Sequence, residues 1–128
     1  MEKGIKGYEE CMVTNENSAV TMGSGELEVF ATPAMIALME KTAWKSVAPY
    51  LDEGQGTVGI SLNVEHSSAT PVGMKVRCES ELVEVDGRKL TFDVKAFDEA
   101  GYIGGGKHER FIVMNKKFQC KALDKAKK

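Results

Sequence analysis

Thr32-Pro33-Ala34-Met35-Ile36-Ala37-Leu38-Met39-Glu40-Lys41-Thr42-Ala43-Trp44-Lys45-Ser46-Val47-Ala48 is the one stretch of this chain that reads as a long helix. It is rich in strong helix formers. Thr32 is a good N-cap, its hydroxyl able to accept from the free N–H groups of the first turn. Pro33 suits the first helical position, where its missing N–H is no loss. The spacing predicts a helix over about 33–50, closing near Leu51 ahead of Gly54 and Gly56. At about 100° per residue, Ile36, Glu40, Ala43 and Val47 form a narrow stripe, with Lys41 and Lys45 turned away from it. A carboxylate thus stands on the face expected to meet the rest of the fold.

Outward from the helix, the remaining signals are strands. Residues 6–14 make a weakly alternating first strand, Asn15–Ser18 a turn, Met22–Gly25 a link, and Leu27, Val29 and Ala31 a short extended piece. In Thr57–Glu65 the even positions Val58, Ile60, Leu62 and Val64 are apolar and the odd ones small or polar, a period of two. Met74–Val85 and Arg88–Phe97 flank Val85-Asp86-Gly87-Arg88, an Asp-Gly hairpin turn of type I′. Asp98–Gly101 turns again and Tyr102–Met114 returns. The last three strands therefore form an antiparallel meander. One helix and about five strands must bury each other's apolar faces. The expected architecture is an α+β hotdog, a curved antiparallel sheet around a central helix, its edge strands available for pairing into a dimer.

The chain has 128 residues, 42% hydrophobic and 28% charged, the make-up of a single domain over 1–128 with a real core. No segment offers the roughly 20 apolar residues of a membrane span. Met1–Lys6 lacks the apolar run of a signal peptide, so a cytoplasmic protein is expected. Residues 116–128 hold six Lys and one Asp, a net of +5, leaving 11 basic and 18 acidic residues in the body, a net of −7. So acidic a body is a poor nucleic-acid surface, and the basic tail is read either as a solvated end, able to be helical, or as a holder of an anionic cofactor. Three cysteines (11, 78, 120) without CxxC spacing, beside two histidines, argue against a disulfide framework or a zinc site. No metal or phosphate-binding motif is present.

Four residues carry candidate chemistry. Glu40 is either a carboxylate at the stripe's edge, reaching water or a lysine, or one held in a partly dry site and tuned for work. Thr32 is either a plain cap or a hydroxyl facing the same cavity, near a helix N-terminus that would stabilise an oxyanion. His66 ends the alternating strand on the parity of Val58–Val64 and so should face the helix. His108, in a strand that carries Gly104-Gly105-Gly106, is its competitor. A Thr, a Glu and a His converging on one pocket suit acyl transfer or hydrolysis. The backbone of Gly59 is a candidate oxyanion donor.

Val29–Glu40, Ala48-Pro49-Tyr50-Leu51, Val64–Met74, Val85–Arg88 and Gly106-Lys107-His108-Glu109-Arg110, in that order, resemble the fluoroacetyl-CoA thioesterase-like family of hotdog thioesterases. The resemblance covers roughly residues 20–120. It implies hydrolysis of a short acyl-CoA thioester by a Thr/Glu/His set, mapping to Thr32, Glu40 and His66. It also implies substrate-binding roles for Gly59, His108 and Arg110, and a cytoplasmic homodimer with pockets near the subunit interface. No cofactor is implied beyond the coenzyme A of the substrate. The fluoroacetate-specialised enzyme has phenylalanines in a lid before the helix, where this chain reads Met22-Gly23-Ser24-Gly25-Glu26-Leu27. Fluoroacetyl specificity is therefore not expected. A hotdog enoyl-CoA hydratase or dehydratase and a non-catalytic acyl-CoA binder are the alternatives.

Overall fold

The computed structural model describes residues 1–127. In chain order these form β1 (Lys6–Met12), α1 (Ala19–Met22), α2 (Thr32–Val47), β2 (Gln55–His66), β3 (Lys75–Asp86), β4 (Lys89–Asp98), β5 (Gly101–Met114) and α3 (Asn115–Asp124). The five strands make one antiparallel sheet in the order β1-β3-β4-β5-β2, so β1 and β2 are its edges. The helix, the strand number and the β3–β4–β5 meander agree with the sequence expectations. The Lys-rich end becomes α3, in which no residue is buried.

α2 ends at Val47 because Pro49 has no N–H to carry the i→i−4 ladder onward, and the chain, still helical in dihedrals at Ala48, leaves through a 3-10 turn over Ala48–Tyr50. Its start departs from expectation. Ala31 is the N-cap and no side chain caps the helix, so Thr32 lies inside the first turn with its hydroxyl free for another partner. The buried stripe is also rotated from the expected one. Met35, Leu38, Met39, Thr42, Ala43 and Val47 face the sheet, at i, i+3 and i+4 spacings, while Ile36 and Glu40 flank them and are only half-buried. The stripe meets Val76, Cys78 and Leu82 of β3 and Leu90, Phe92 and Val94 of β4, all fully buried. Each such large side chain removed from water contributes about 2 kcal/mol, which outweighs the missing cap.

Two turns of detail position the site. In the β3–β4 hairpin Asp86 pairs with Lys89, and only Gly87 takes a positive φ (+62°). Glycine at the first central position is the pattern of a II′ turn, not the expected I′. In β2 the register with β5 shifts between Gly59 and Ser61, so Ile60 is an extra residue in a bulge. Gly59 pairs with Arg110 and Leu62 with His108. Thr57 and Gly59 therefore face α2 before the bulge, and Leu62, Val64 and His66 after it. The single apolar face expected from Val58 to His66 is broken in two. As an edge strand, β2 leaves Ile60 49% and Leu62 36% exposed.

Candidate active site

The first turn of α2 and the last residue of β2 meet at a shallow recess of about 250 Å³, whose walls include Ser24, Val29, Phe30 and Ala69. The entering chain is held by Phe30 N–H donating to the Thr70 carbonyl (2.8 Å) and Ala31 N–H to the Asn17 carbonyl (2.9 Å). Thr32 Oγ1 lies 2.8 Å from His66 Nδ1. The His66 ring stands edge-on to Phe30, 6.5 Å between centroids, and its Nε2 is buried without a hydrogen-bond partner among the described residues. Burial lowers the His66 pKa, opposed in part by the Ser68 backbone. The positive end of the helix dipole also disfavours a charged ring. A neutral imidazole beside a hydroxyl is the arrangement by which a general base activates a nucleophile. Thr32 and His66, two of the three residues the sequence places on one pocket, are thus in contact across 34 residues, whereas the pairing of His66 with Glu40 that their shared face suggested does not form within one chain.

Glu40 stands apart from this pair. Eight residues separate it from Thr32, about 12 Å of helix rise. Among the described residues it makes no hydrogen bond to Thr32 or His66. Its Oε2 lies 3.4 Å from Arg110 Nη1, with the Glu40 side chain 39% exposed and that of Arg110 7%. The expected convergence of three residues on one pocket is therefore corrected for a single chain: Thr32 and His66 meet, and Glu40 belongs to a second cluster. Glu40 lies at the edge of the buried stripe, half-buried, and its partner is a buried arginine and not a lysine.

That second cluster holds the other residues the sequence selects. His108 is fully buried, stacked on Phe92 at 6.2 Å, with Nδ1 3.0 Å from the Ser61 carbonyl. Burial, and then the Arg110 charge, hold its pKa down against the Ser61 backbone, Glu40 and Glu109. His108 is thus no rival to His66 for contact with Thr32. Arg110 Nε donates to Thr57 Oγ1 (2.8 Å), Nη2 to the Thr57 carbonyl (2.9 Å), and Nη1 lies 3.1 Å from His108 Nε2. Gly59 lets the carboxylate approach the strand. A Cβ there would stand 2.6 Å from Glu40 Oε2 and 3.4 Å from both Arg110 Nη1 and His108 Cε1. Thr57 is the member sequence reasoning missed. Read with uniform alternation, it belongs to the outward face, and only the bulge at Ile60 turns it inward.

A central helix on a five-stranded antiparallel sheet, with a hydroxyl–imidazole pair at the helix start and a carboxylate two turns on, defines a hotdog protein of the thioesterase superfamily. A hypothetical protein of Thermus thermophilus, described as a member of that superfamily, shares the fold at a TM-score of 0.87 with 27% identity, over 98% of this chain and 94% of that one. Residues 13–116 match the family FlK, fluoroacetyl-CoA-specific thioesterase, and the chain belongs to it. The fluoroacetyl-CoA thioesterase of Streptantibioticus cattleyicolor is 43% identical over 98 residues, 77% of this chain and 70% of that protein. A crystal structure of the fluoroacetyl-CoA thioesterase FlK superposes with a TM-score of 0.91 at 36% identity, covering 98% of this chain and 97% of the other. A mutant of it in complex with acetyl-CoA gives 0.92 at 34% identity, covering 98% of each chain.

Proposed function

We propose that this protein hydrolyses short acyl-CoA thioesters to the free acid and coenzyme A, with Thr32, His66 and Glu40 as the reacting set. The observation that carries the reading is the 2.8 Å contact between Thr32 Oγ1 and the half-buried His66. The neutral imidazole takes the Thr32 hydroxyl proton as Oγ1 attacks the thioester carbonyl and gives it to the thiolate as the C–S bond breaks; water then attacks the Thr32 ester through the same proton transfer, which releases the acid and restores the hydroxyl. The N–H groups of the first turn of α2 lack helical partners and stabilise the oxyanion. Glu40 supplies the negative charge and second acid/base site the step needs. Hydration and binding without turnover are not favoured by the family to which the chain belongs.

The separation of Glu40 from the pair is resolved in a homodimer. β2 is an edge strand with Ile60 and Leu62 exposed, and edge pairing across a two-fold axis runs β2 antiparallel to its copy. The His66 end of one β2 then lies toward the Gln55 end of the other, where Glu40 stands over Gly59. Each working site would join Thr32 and His66 of one chain to Glu40 of its partner. A cytoplasmic setting accords with three free cysteines and with no helix long and apolar enough to cross a membrane among the described residues.

Release of free thiol from a panel of acyl-CoAs tests the reading. Acetyl-CoA and fluoroacetyl-CoA are expected to turn over within about tenfold of each other, because the segment Met22–Leu27 ahead of α2 carries no aromatic residue. A folded protein that releases no thiol from any short acyl-CoA would refute it.

A further inference from the structure

The polar group behind Glu40 is buried, fully oriented, and takes no part in the chemistry described so far. A guanidinium has five N–H donors in a rigid fork. Here Nε and Nη2 are committed to the side chain and carbonyl of Thr57, at 2.8 and 2.9 Å, and Nη1 faces His108 Nε2 at 3.1 Å and Glu40 Oε2 at 3.4 Å. His108 is itself fixed. A carbonyl only accepts, so the 3.0 Å contact with the Ser61 oxygen requires the proton on Nδ1. Nε2 is then the acceptor for Arg110. Protonating it would set two donors against each other, and burial with the Arg110 charge opposes that. The carbonyl that sets the tautomer lies just past the bulge, so the irregularity of β2 orients the whole group.

A guanidinium so engaged, with its side chain 7% exposed, is not available to a substrate phosphate. We infer that Arg110, framed by Thr57 and His108, is a positioning residue for Glu40. It anchors the carboxylate through Oε2 over Gly59 and leaves Oε1, which has no hydrogen-bond partner among the described residues, as the oxygen presented to the substrate. This assignment rests on the reading of Glu40 as a reacting group, and it replaces the substrate-binding role expected for Arg110 and His108.

Arg110→Lys tests it, because an ammonium keeps the charge but cannot reach Thr57, His108 and Glu40 together. In thiol-release assays on the full-length protein, kcat should fall about 10- to 100-fold with KM within about threefold. In a Glu40→Gln background the same substitution should cost less than about twofold, since the group it positions no longer reacts. Thr57→Val removes only the Nε acceptor and keeps the side-chain shape. It should lower kcat about 3- to 10-fold, again only when Glu40 is present, and it carries the test if Arg110→Lys does not fold. Equal, additive losses in both backgrounds, or a raised KM at unchanged kcat, overturn the inference. A folded Glu40→Gln protein with wild-type turnover removes Glu40 from the mechanism instead, and with it the reading on which the inference rests.

Discussion

Replacing Gly59 by alanine adds one methyl group at the point where strand and carboxylate touch. Gly59 is not among the glycines of positive φ, so alanine meets no backbone strain there. Its Cβ would stand 2.6 Å from Glu40 Oε2. Reaching an ordinary contact of about 3.4 Å requires the carboxylate to move by about 0.8 Å. The obstructed atom ends a flexible side chain, so the move is cheap for folding. Alanine also restricts the unfolded chain relative to glycine, a gain of about 0.5–1 kcal/mol. Stability should therefore change by less than about 1 kcal/mol in either direction. Catalysis is less tolerant, because a misplacement of about 1 Å can lower a rate by roughly a hundredfold. Gly59→Ala should melt within a few degrees of wild type while kcat for its best acyl-CoA falls about 30- to 100-fold. Thermal denaturation and thiol release on the same preparation decide the matter. A folded Gly59→Ala protein with wild-type kcat would show that the Glu40 position over Gly59 is not the working one.

Thr32→Ala should lower kcat strongly and cost about 1 kcal/mol of stability through the lost bond to His66, since the hydroxyl caps nothing; in a His66→Ala background the same substitution should cost less than about 0.5 kcal/mol, and an undiminished loss there, read by denaturant titration, would contradict this. Burial lowers the pKa of both His66 and His108 below the ordinary 6.5. The unfolded chain then binds protons at higher pH than the folded one, so stability is full above about pH 6.5 and declines on acidification below it. The acid limb of kcat/KM should likewise lie below that pH. Stability that rises on acidification through this window would refute the assignment. Ile60→Lys places a charge on the exposed β2 edge and should convert a dimer to monomers at micromolar concentration by sedimentation; an unchanged mass would place the interface elsewhere.

The helix was legible because Thr32-Pro33 marks its start, a local signal, whereas its end, expected near Leu51 ahead of Gly54 and Gly56, falls at Val47, before Pro49. The meander was legible because strands of period two flank an Asp-Gly turn. What escaped the sequence arose from tertiary geometry. One residue of drift along α2 rotates Met35 and Met39 into the core and Glu40 to its flank, since the apolar set of this helix is wide enough to admit either register. The bulge at Ile60 has no signature in an otherwise regular alternation, and with it Thr57 was hidden. His66 survived because the bulge restores the helix-facing parity by Leu62. The distance between Glu40 and the Thr32–His66 pair also escaped the sequence, because helix periodicity reports faces and not the 12 Å or so that separates two positions along an axis.

The central claim is that hydrolysis occurs at a site built from Thr32 and His66 of one subunit and Glu40 of its partner. Co-expressing Thr32→Ala and Glu40→Gln chains under two different tags, and isolating the mixed dimer, tests it most directly. Each parent homodimer should be impaired by roughly a hundredfold. In the mixed dimer one site carries both substitutions and the other carries neither, so thiol release should recover to about half the wild-type rate per dimer. A mixed dimer no more active than its parents would contradict the account.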